Sequence, residues 1–278
     1  MNSTFAGKTV IITGASAGVG AACARAFAAQ NAKLVLCARG RAGLDAIAKE
    51  LRSTCEVITS VMDVADTSQC LKLLKEAETK FGAVHVVVNN AGMHTRGDLE
   101  TVDPGDVAAM VDINLRAPMV LSCAAIPFLH RAGSGAIVNI GSLAGRAPLQ
   151  GAATYSGTKA GLRAFSYALA DELKDAGINV GVVSPGPIDT GFIMDEIDKV
   201  EDIVFSQPMS SAEQVADAVI SIAAGEEVEI SLPAASGKLT TLSYLFPTLR
   251  RRLRPKLYAQ GRKNKEKYRN RQSMEEAP

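Results

Sequence analysis

Between Lys8 and Leu232 the chain alternates short β-branched runs with segments of helical periodicity, and this alternation restricts its fold more than any other feature. Seven runs read as strands: "KTVIIT" (8–13), "AKLVLC" (32–37), "EVITSV" (56–61), "VHVVVNN" (84–90), "GAIVNI" (135–140), "INVGVV" (178–183) and "VEISL" (228–232). Amphipathic segments such as "LDAIAKELRS" and "CLKLLKEAETKF" lie between them. Strand–helix alternation at this spacing predicts a parallel sheet with right-handed crossovers, an α/β doubly wound Rossmann-type fold with seven strands and helices on both faces. The runs are almost continuously apolar, as strands covered on both sides must be. With no Trp and only 5% aromatic residues, the core has to be built from Val, Ile, Leu and Ala. No repeat or linker interrupts residues 1–233, which are expected to form one domain, with 234–278 as an extension.

The first strand runs into "TGASAGVG", where Gly14, Gly18 and Gly20 open the first helix. A backbone without Cβ turns tightly and approaches a pyrophosphate closely, and a helix N-terminus favours negative charge. The alternative is an ordinary strand-to-helix turn. In a dinucleotide fold the second strand ends in a carboxylate that binds the ribose hydroxyls. Here it ends in Ala38 and Arg39, followed by Arg41. A guanidinium pairs with a 2′-phosphate that a carboxylate would repel, so the expected cofactor is NADP(H) rather than NAD(H). Asp63, after the third strand, is placed to accept from an adenine amino group, while Asp66 is the better helix cap. "NNAG" (89–92) ends the fourth strand, where small residues leave room for a ligand and asparagines fix loop and ribose. In "YSGTKAG", Tyr155 and Lys159 stand four apart, on one face of a helix, where an ammonium stabilises a phenolate that can accept a proton. Taken alone, the pair reads first as an incidental surface contact, because this spacing occurs by chance.

Together "TGASAGVG", "NNAG", Asn114 in "DINL", Ser142 in "NIGSLAG", "YSGTK" and "PGPIDT" resemble, in order and spacing, the short-chain dehydrogenase/reductases over about residues 6 to 232. The resemblance implies a catalytic tetrad of Asn114, Ser142, Tyr155 and Lys159. Tyr155 would exchange a proton with the carbonyl oxygen and Ser142 would hydrogen-bond that oxygen. Lys159 would bind the nicotinamide ribose and lower the Tyr155 pKa, and Asn114 would hold a relay water. It also implies cofactor contacts from Gly14, Ser16, Gly18, Val19, Gly20, Arg39, Asp63, Val64, Asn90, Ala91, Gly92, Tyr155, Lys159, Pro185, Gly186, Ile188 and Thr190. Residues 191–208 would cover the substrate. Their mixture of Phe192, Ile193, Met194, Ile197, Val204 and Phe205 with acids suits a largely apolar carbonyl compound and its alcohol. The expected activity is NADP(H)-dependent interconversion of ketone or aldehyde and alcohol. The rivals are a 3-oxoacyl thioester reductase of the same family and a non-catalytic NADP(H) sensor. His85, His94 and His130 are scattered and read as non-catalytic.

Five cysteines (Cys23, Cys37, Cys55, Cys70, Cys123) show no paired spacing, so neither a disulfide framework nor a metal site is expected. Neither a secretory leader nor an apolar run of spanning length is read from the sequence, which makes the cytoplasm the default location.

The net charge of +1 hides a division. Residues 1–249 carry 19 basic and 26 acidic residues, net −7, while residues 250–278 carry 11 and 3, net +8. Leu239, Leu242, Phe246, Leu249, Leu253 and Leu257 recur every three or four positions and predict amphipathic helices broken at Pro247 and Pro255, with a frayed polar end. This stripe is expected to pack on the body or on a partner subunit; the alternative is peripheral contact with an anionic membrane, which would place the cytoplasmic protein at a membrane surface. A homodimer or homotetramer is expected, with the dimer formed through the helices of Asn114 and Tyr155. Nucleic-acid binding is not expected from an acidic body.

Overall fold

The computed structural model describes residues 4–275. All seven predicted strands form: β1 (Thr9–Thr13), β2 (Lys33–Ala38), β3 (Val57–Val61), β4 (Val86–Asn89), β5 (Gly135–Ile140), β6 (Ile178–Pro185) and β7 (Glu229–Leu232). They make one parallel sheet in the order β3-β2-β1-β4-β5-β6-β7. The chain winds outward from β1 to β3, then crosses back to β4 beside β1. Strand order reverses there, and in a doubly wound sheet the carboxyl ends of the strands at such a switch point are where ligands bind.

Alternate strand residues serve opposite faces. Val10, Ile12, Leu34, Leu36, Val86 and Val88 are buried against α1 (Gly18–Ala28), α2 (Arg41–Leu51) and α8 (Ala212–Ala223). Ile11, Val35, Cys37, Val87 and Ile137 are buried against α3 (Thr67–Phe81), α5 (Ala117–Arg131) and α6 (Ala153–Leu173). Asp66 caps α3, accepting from the amides of Ser68 and Gln69. The helix α4 (Pro104–Val111) runs into α5 through a π-helical turn, Asp112–Arg116. The continuous run Pro104–Arg131 is long and apolar enough to cross a membrane by length and composition, a segment the sequence reading passes over. Its Met110, Asn114, Leu121, Ala125 and Leu129 are buried in the fold, as in the core helix of a doubly wound protein.

After β6 the short helix α7 (Gly191–Met194) and two 3-10 turns (Ile197–Lys199 and Asp202–Ser206) form a lid around Ile193, Ile197, Val200 and Phe205. The extension forms α9 (Ala234–Leu245) and α10 (Pro247–Glu275). Pro247 separates them as predicted, but Pro255 lies inside α10 without breaking it. The carbonyl it leaves unbonded one turn back belongs to Arg251, an exposed residue that water can serve.

The structure corrects two points here: one of the two surfaces expected for the stripe, the body, and the fraying of the polar end. The leucine stripe does not pack on the body: Leu239, Leu242, Phe246, Leu249 and Leu253 are exposed, and only Leu257 is half-buried. The polar end does not fray through residue 271; it docks on the lid, and its last three residues lie outside those described. Lys265 is buried and donates to the carbonyls of Val200 (2.6 Å) and Asp198 (3.3 Å), with Asp202 3.4 Å away. Arg262 pairs with Asp202, Arg269 with Asp198 and Arg271 with Asp189, while the Tyr268 ring lies 5.8 Å from that of Phe205. The basic end therefore found its acidic partners on the lid, a pairing that net charge alone does not locate.

Candidate active site

The glycine loop folds onto the end of β4. Gly14 and Gly18 have φ of +65° and +51°, backbone that favours glycine. A Cβ on Gly14 would lie 2.9 Å from Ala91 Cα, and one on Gly20 would overlap the Gly14 carbonyl oxygen. Asn90 locks this approach by donating its side-chain amide to the carbonyls of Thr13 (2.9 Å) and Gly14 (3.0 Å). Asn89 instead joins a buried network with Ser122 and Asn139, a purely structural role. The first turn of α1 has neither a side-chain cap nor an acidic residue, so its amides are available to an anion. Ser16 meets Gly43 behind the loop, where a Cβ would lie 2.9 Å from Ser16 Cβ, and Val19 packs on the core.

Arg39 and Arg41 are exposed just past β2. Asp63 is half-buried and accepts from the Ala65 amide (2.9 Å), turning the chain at Val64, which packs against the core. On the other side, Pro185 ends β6, the Gly186 amide donates to Leu232 (2.7 Å), and Ile188 bridges to Ser210. This brings the Thr190 methyl to 3.5 Å from where a Gly18 Cβ would lie, closing the lid's root against the glycine loop. Glycine cradle, uncapped helix and guanidinium at the end of β2 together fit a dinucleotide phosphate chain.

Asn114 sits in the π-helical turn, fully buried. Such a turn displaces one residue from the α-helical ladder, and here it aims the side chain into the site. Its Oδ1 accepts from the Met93 amide and its Nδ2 donates to the Met93 carbonyl, both at 2.8 Å. A Cβ on Gly92 would lie 3.3 Å from Asn114 Oδ1 and 3.8 Å from Lys159 Nζ, so the three residues converge. Ser142, at the end of β5, caps the following 3-10 turn by accepting from Ala144 (3.1 Å) and is close enough to the Tyr155 hydroxyl to lower its pKa. Gly145 allows this turn to reach α6, since a Cβ there would lie 2.6 Å from the Lys159 carbonyl carbon.

The Lys159 ammonium donates to the Ile140 carbonyl (2.7 Å) and lies 5.8 Å from the Tyr155 ring centroid. Burial lowers its pKa to about 8. Burial raises the Tyr155 pKa above the ordinary phenol value, opposed by the Ser142 hydrogen bond and the Arg96 charge. The Arg96 charge thus acts on the phenol as well, alongside the Lys159 ammonium near its ring.

Two residues absent from the sequence-derived set complete the site. His94 stacks on Tyr155, ring centroids 4.2 Å apart and planes at 12°. Arg96 donates to His94 Nδ1 (3.0 Å) and to the Phe192 carbonyl of the lid (2.8 Å), and pairs with Glu196 (3.4 Å). Because Arg96 has only protons to give, His94 Nδ1 is the acceptor and the imidazole is neutral with its proton on Nε2. Burial, then the Arg96 charge, lowers the His94 pKa to about 3. Folded His94 therefore refuses a proton that the unfolded chain takes up below about pH 6.5, and stability falls as pH drops from there toward 3. At pH 5 the loss from this group is about 2 kcal/mol. His94→Phe keeps the stack and should flatten the difference in urea stability between pH 7 and pH 5 by about that amount. An identical pH dependence in the two proteins would contradict the assignment.

Residues 8–201 match the family described as short chain dehydrogenase. The chain is 36% identical over 195 residues to a ketoacyl reductase of Nostoc sp., covering 69% of this chain and 68% of that protein. It is 34% identical to an NADP-dependent 3-hydroxy acid dehydrogenase of Schizosaccharomyces pombe, covering 68% and 75%. The crystal structure of a short-chain type dehydrogenase/reductase from Mycobacterium marinum superposes with a TM-score of 0.76 at 25% identity, over 82% of this chain and 94% of that one.

Proposed function

This chain belongs to the short-chain dehydrogenase family and is an oxidoreductase, and from that premise we propose that it reduces a largely apolar ketone or aldehyde to the alcohol, and the reverse, with NADP(H). The observation that carries the proposal is Tyr155 set one helical turn from a buried Lys159, whose ammonium lies 5.8 Å from the tyrosine ring centroid and converges with Asn114 on Gly92. Gly14, Ser16, Gly18, Val19 and Gly20 would hold the pyrophosphate, with Arg39 on the 2′-phosphate and Asp63 and Val64 at the adenine. Asn90, Ala91, Gly92, Tyr155 and Lys159 would line the ribose, and Pro185, Gly186, Ile188 and Thr190 the carboxamide. When bound, the reduced cofactor supplies a hydride to the carbonyl carbon. Tyr155 gives its proton to the carbonyl oxygen, to which Ser142 also donates a hydrogen bond. A phenol kept protonated by burial is in the state that this donation needs. Lys159, beside Asn114 and Gly92, is the group through which the proton on Tyr155 is replaced. Asn114 acts first as a clamp on Met93, and so on the strand of loop carrying His94 and Arg96.

The similarity to a ketoacyl reductase favours a second reading, reduction of a 3-oxoacyl thioester, with the same residues in the same roles. The lid's Phe192, 46% exposed beneath the Arg96 guanidinium, suits either apolar substrate. Assembly as a homodimer or homotetramer through α4–α5 and α6, and a cytoplasmic setting in which the five free thiols stay reduced, belong to the same reading. The direct test is oxidation of NADPH by a panel of ketones, aldehydes and 3-oxoacyl thioesters. Cofactor choice is tested by Arg39→Asp, which should weaken NADPH binding about ten- to a hundredfold through loss of a charge-assisted contact and shift preference toward NADH. Unchanged affinity for both cofactors would leave Arg39 a solvated loop residue.

A further inference from the structure

The helix α9 presents its large apolar side chains to solvent and its small residues to the body. It turns Ser236 and Gly237 inward, with Thr240 and Ser243 half-buried, and Arg146 reaches from the body to bond Thr241. Leu239 (65% exposed), Leu242, Tyr244 and Leu245 (66%) face outward, and across the turn to α10 the apolar surface continues through Phe246, Leu249 and Leu253. Seven exposed large apolar side chains on one elbow are a surface that something covers.

The charges around the elbow identify the occupant. From residue 230 to 265 there is no Asp or Glu, while nine Lys and Arg are present. Arg262 and Lys265 are held by the lid's Asp202. Lys238, Arg250, Arg251, Arg252, Arg254 and Lys256, around the leucines, have no acidic partner among the described residues. A second copy docking through the same face about a two-fold axis would bring these cations against themselves. An anionic bilayer meets both demands, hydrocarbon for the leucines and phosphate headgroups for the cations.

We propose that the α9–α10 elbow, Lys238 to Lys256, is a peripheral docking surface for an anionic lipid bilayer. The docked half of α10 continues directly from it to the lid, so the bilayer would lie on the side of the molecule where the substrate segment is strapped. Neither the surface nor its test depends on the enzymatic reading.

The test is co-sedimentation of the full chain with vesicles of phosphatidylglycerol and phosphatidylcholine at low salt, beside vesicles of phosphatidylcholine alone. Each cation near an anionic surface strengthens binding about fivefold, so partitioning should be at least about a hundredfold stronger on the anionic vesicles and partly reversed by salt. Leu242→Glu/Leu245→Glu/Phe246→Glu should abolish it while leaving fold and activity in solution unchanged, because these side chains are exposed. No sedimentation of the full chain with anionic vesicles overturns the proposal. So does binding undiminished in the triple variant, which would be adsorption by charge alone. An oligomer that dissociates in the triple variant, with no vesicle binding, also overturns it and assigns the face to a second copy.

Discussion

Tyr155→Phe should bind NADPH as tightly as the parent protein and turn over about a thousandfold more slowly, the scale of a lost general acid. The substitution keeps the ring, and with it the His94 stack and the packing beneath the Lys159 ammonium. It removes only the hydroxyl, which burial keeps protonated and which has the proton to give. Because the loss falls on the reacting atoms, kcat should drop while cofactor affinity, measured by fluorescence titration, stays within about twofold. Substantial residual turnover on the best substrate would mean that another group supplies the proton. Weakened NADPH binding equal to the loss of rate would make Tyr155 a binding residue instead.

Gly261→Leu should detach the extension from the lid. In an ordinary exposed helix interior, Leu in place of Gly is worth about 0.8 kcal/mol of added helix stability. Here a Cβ at position 261 would overlap the Asp202 carbonyl oxygen, so the helix has to lift. Lifting exposes Phe205, worth about 2 kcal/mol when fully buried, uncovers the half-buried Tyr268, and strands the carbonyls that Lys265 serves. The lid turns Ile197–Lys199 and Asp202–Ser206 lose the element that covers them. We expect kcat/KM for the carbonyl substrate to fall at least about tenfold, or ~1.4 kcal/mol, and limited proteolysis to cut within residues 197–206. Unchanged kcat/KM and an unchanged digestion pattern would show that the lid stands without α10.

Much of the fold was legible because each strand carries its own signal. β-Branched runs such as "VIIT" and "VVVN" are apolar on both faces only if both are covered, and that condition alone implies a parallel sheet between helices. The site was legible where chemistry demands a residue type at a fixed backbone position. Gly14 and Gly20 have no room for a side chain, and Tyr155 and Lys159 share a helix face by period. What could not be read were contacts made by long side chains across the fold. Nothing in "MHTRG" indicates that His94 lies flat on Tyr155, or that Arg96 joins that pair to Phe192 and Glu196 on the lid. Gly145 stood within a motif, yet its close approach to Lys159 is visible only once β5 and α6 are placed. The extension misled for a related reason. Its leucine periodicity predicts helix correctly, but periodicity marks an apolar face without saying which way the face points. The orientation was set by Lys265 and Arg271, whose acidic partners, Asp202 and Asp189, lie more than sixty residues away.

The claim that this site passes a hydride and a proton between NADP(H) and a carbonyl is tested most directly by cofactor oxidation. The full chain is mixed with NADPH, or with NADH, and nicotinamide absorbance is followed across a panel of apolar ketones, aldehydes and 3-oxoacyl thioesters. The expected result is oxidation that requires the carbonyl compound, proceeds faster with NADPH, and yields one equivalent of alcohol per cofactor consumed. Tight NADPH binding with no carbonyl-dependent oxidation on any member of the panel would contradict it, and would leave a dinucleotide-binding protein whose Ser142, Tyr155 and Lys159 serve another end.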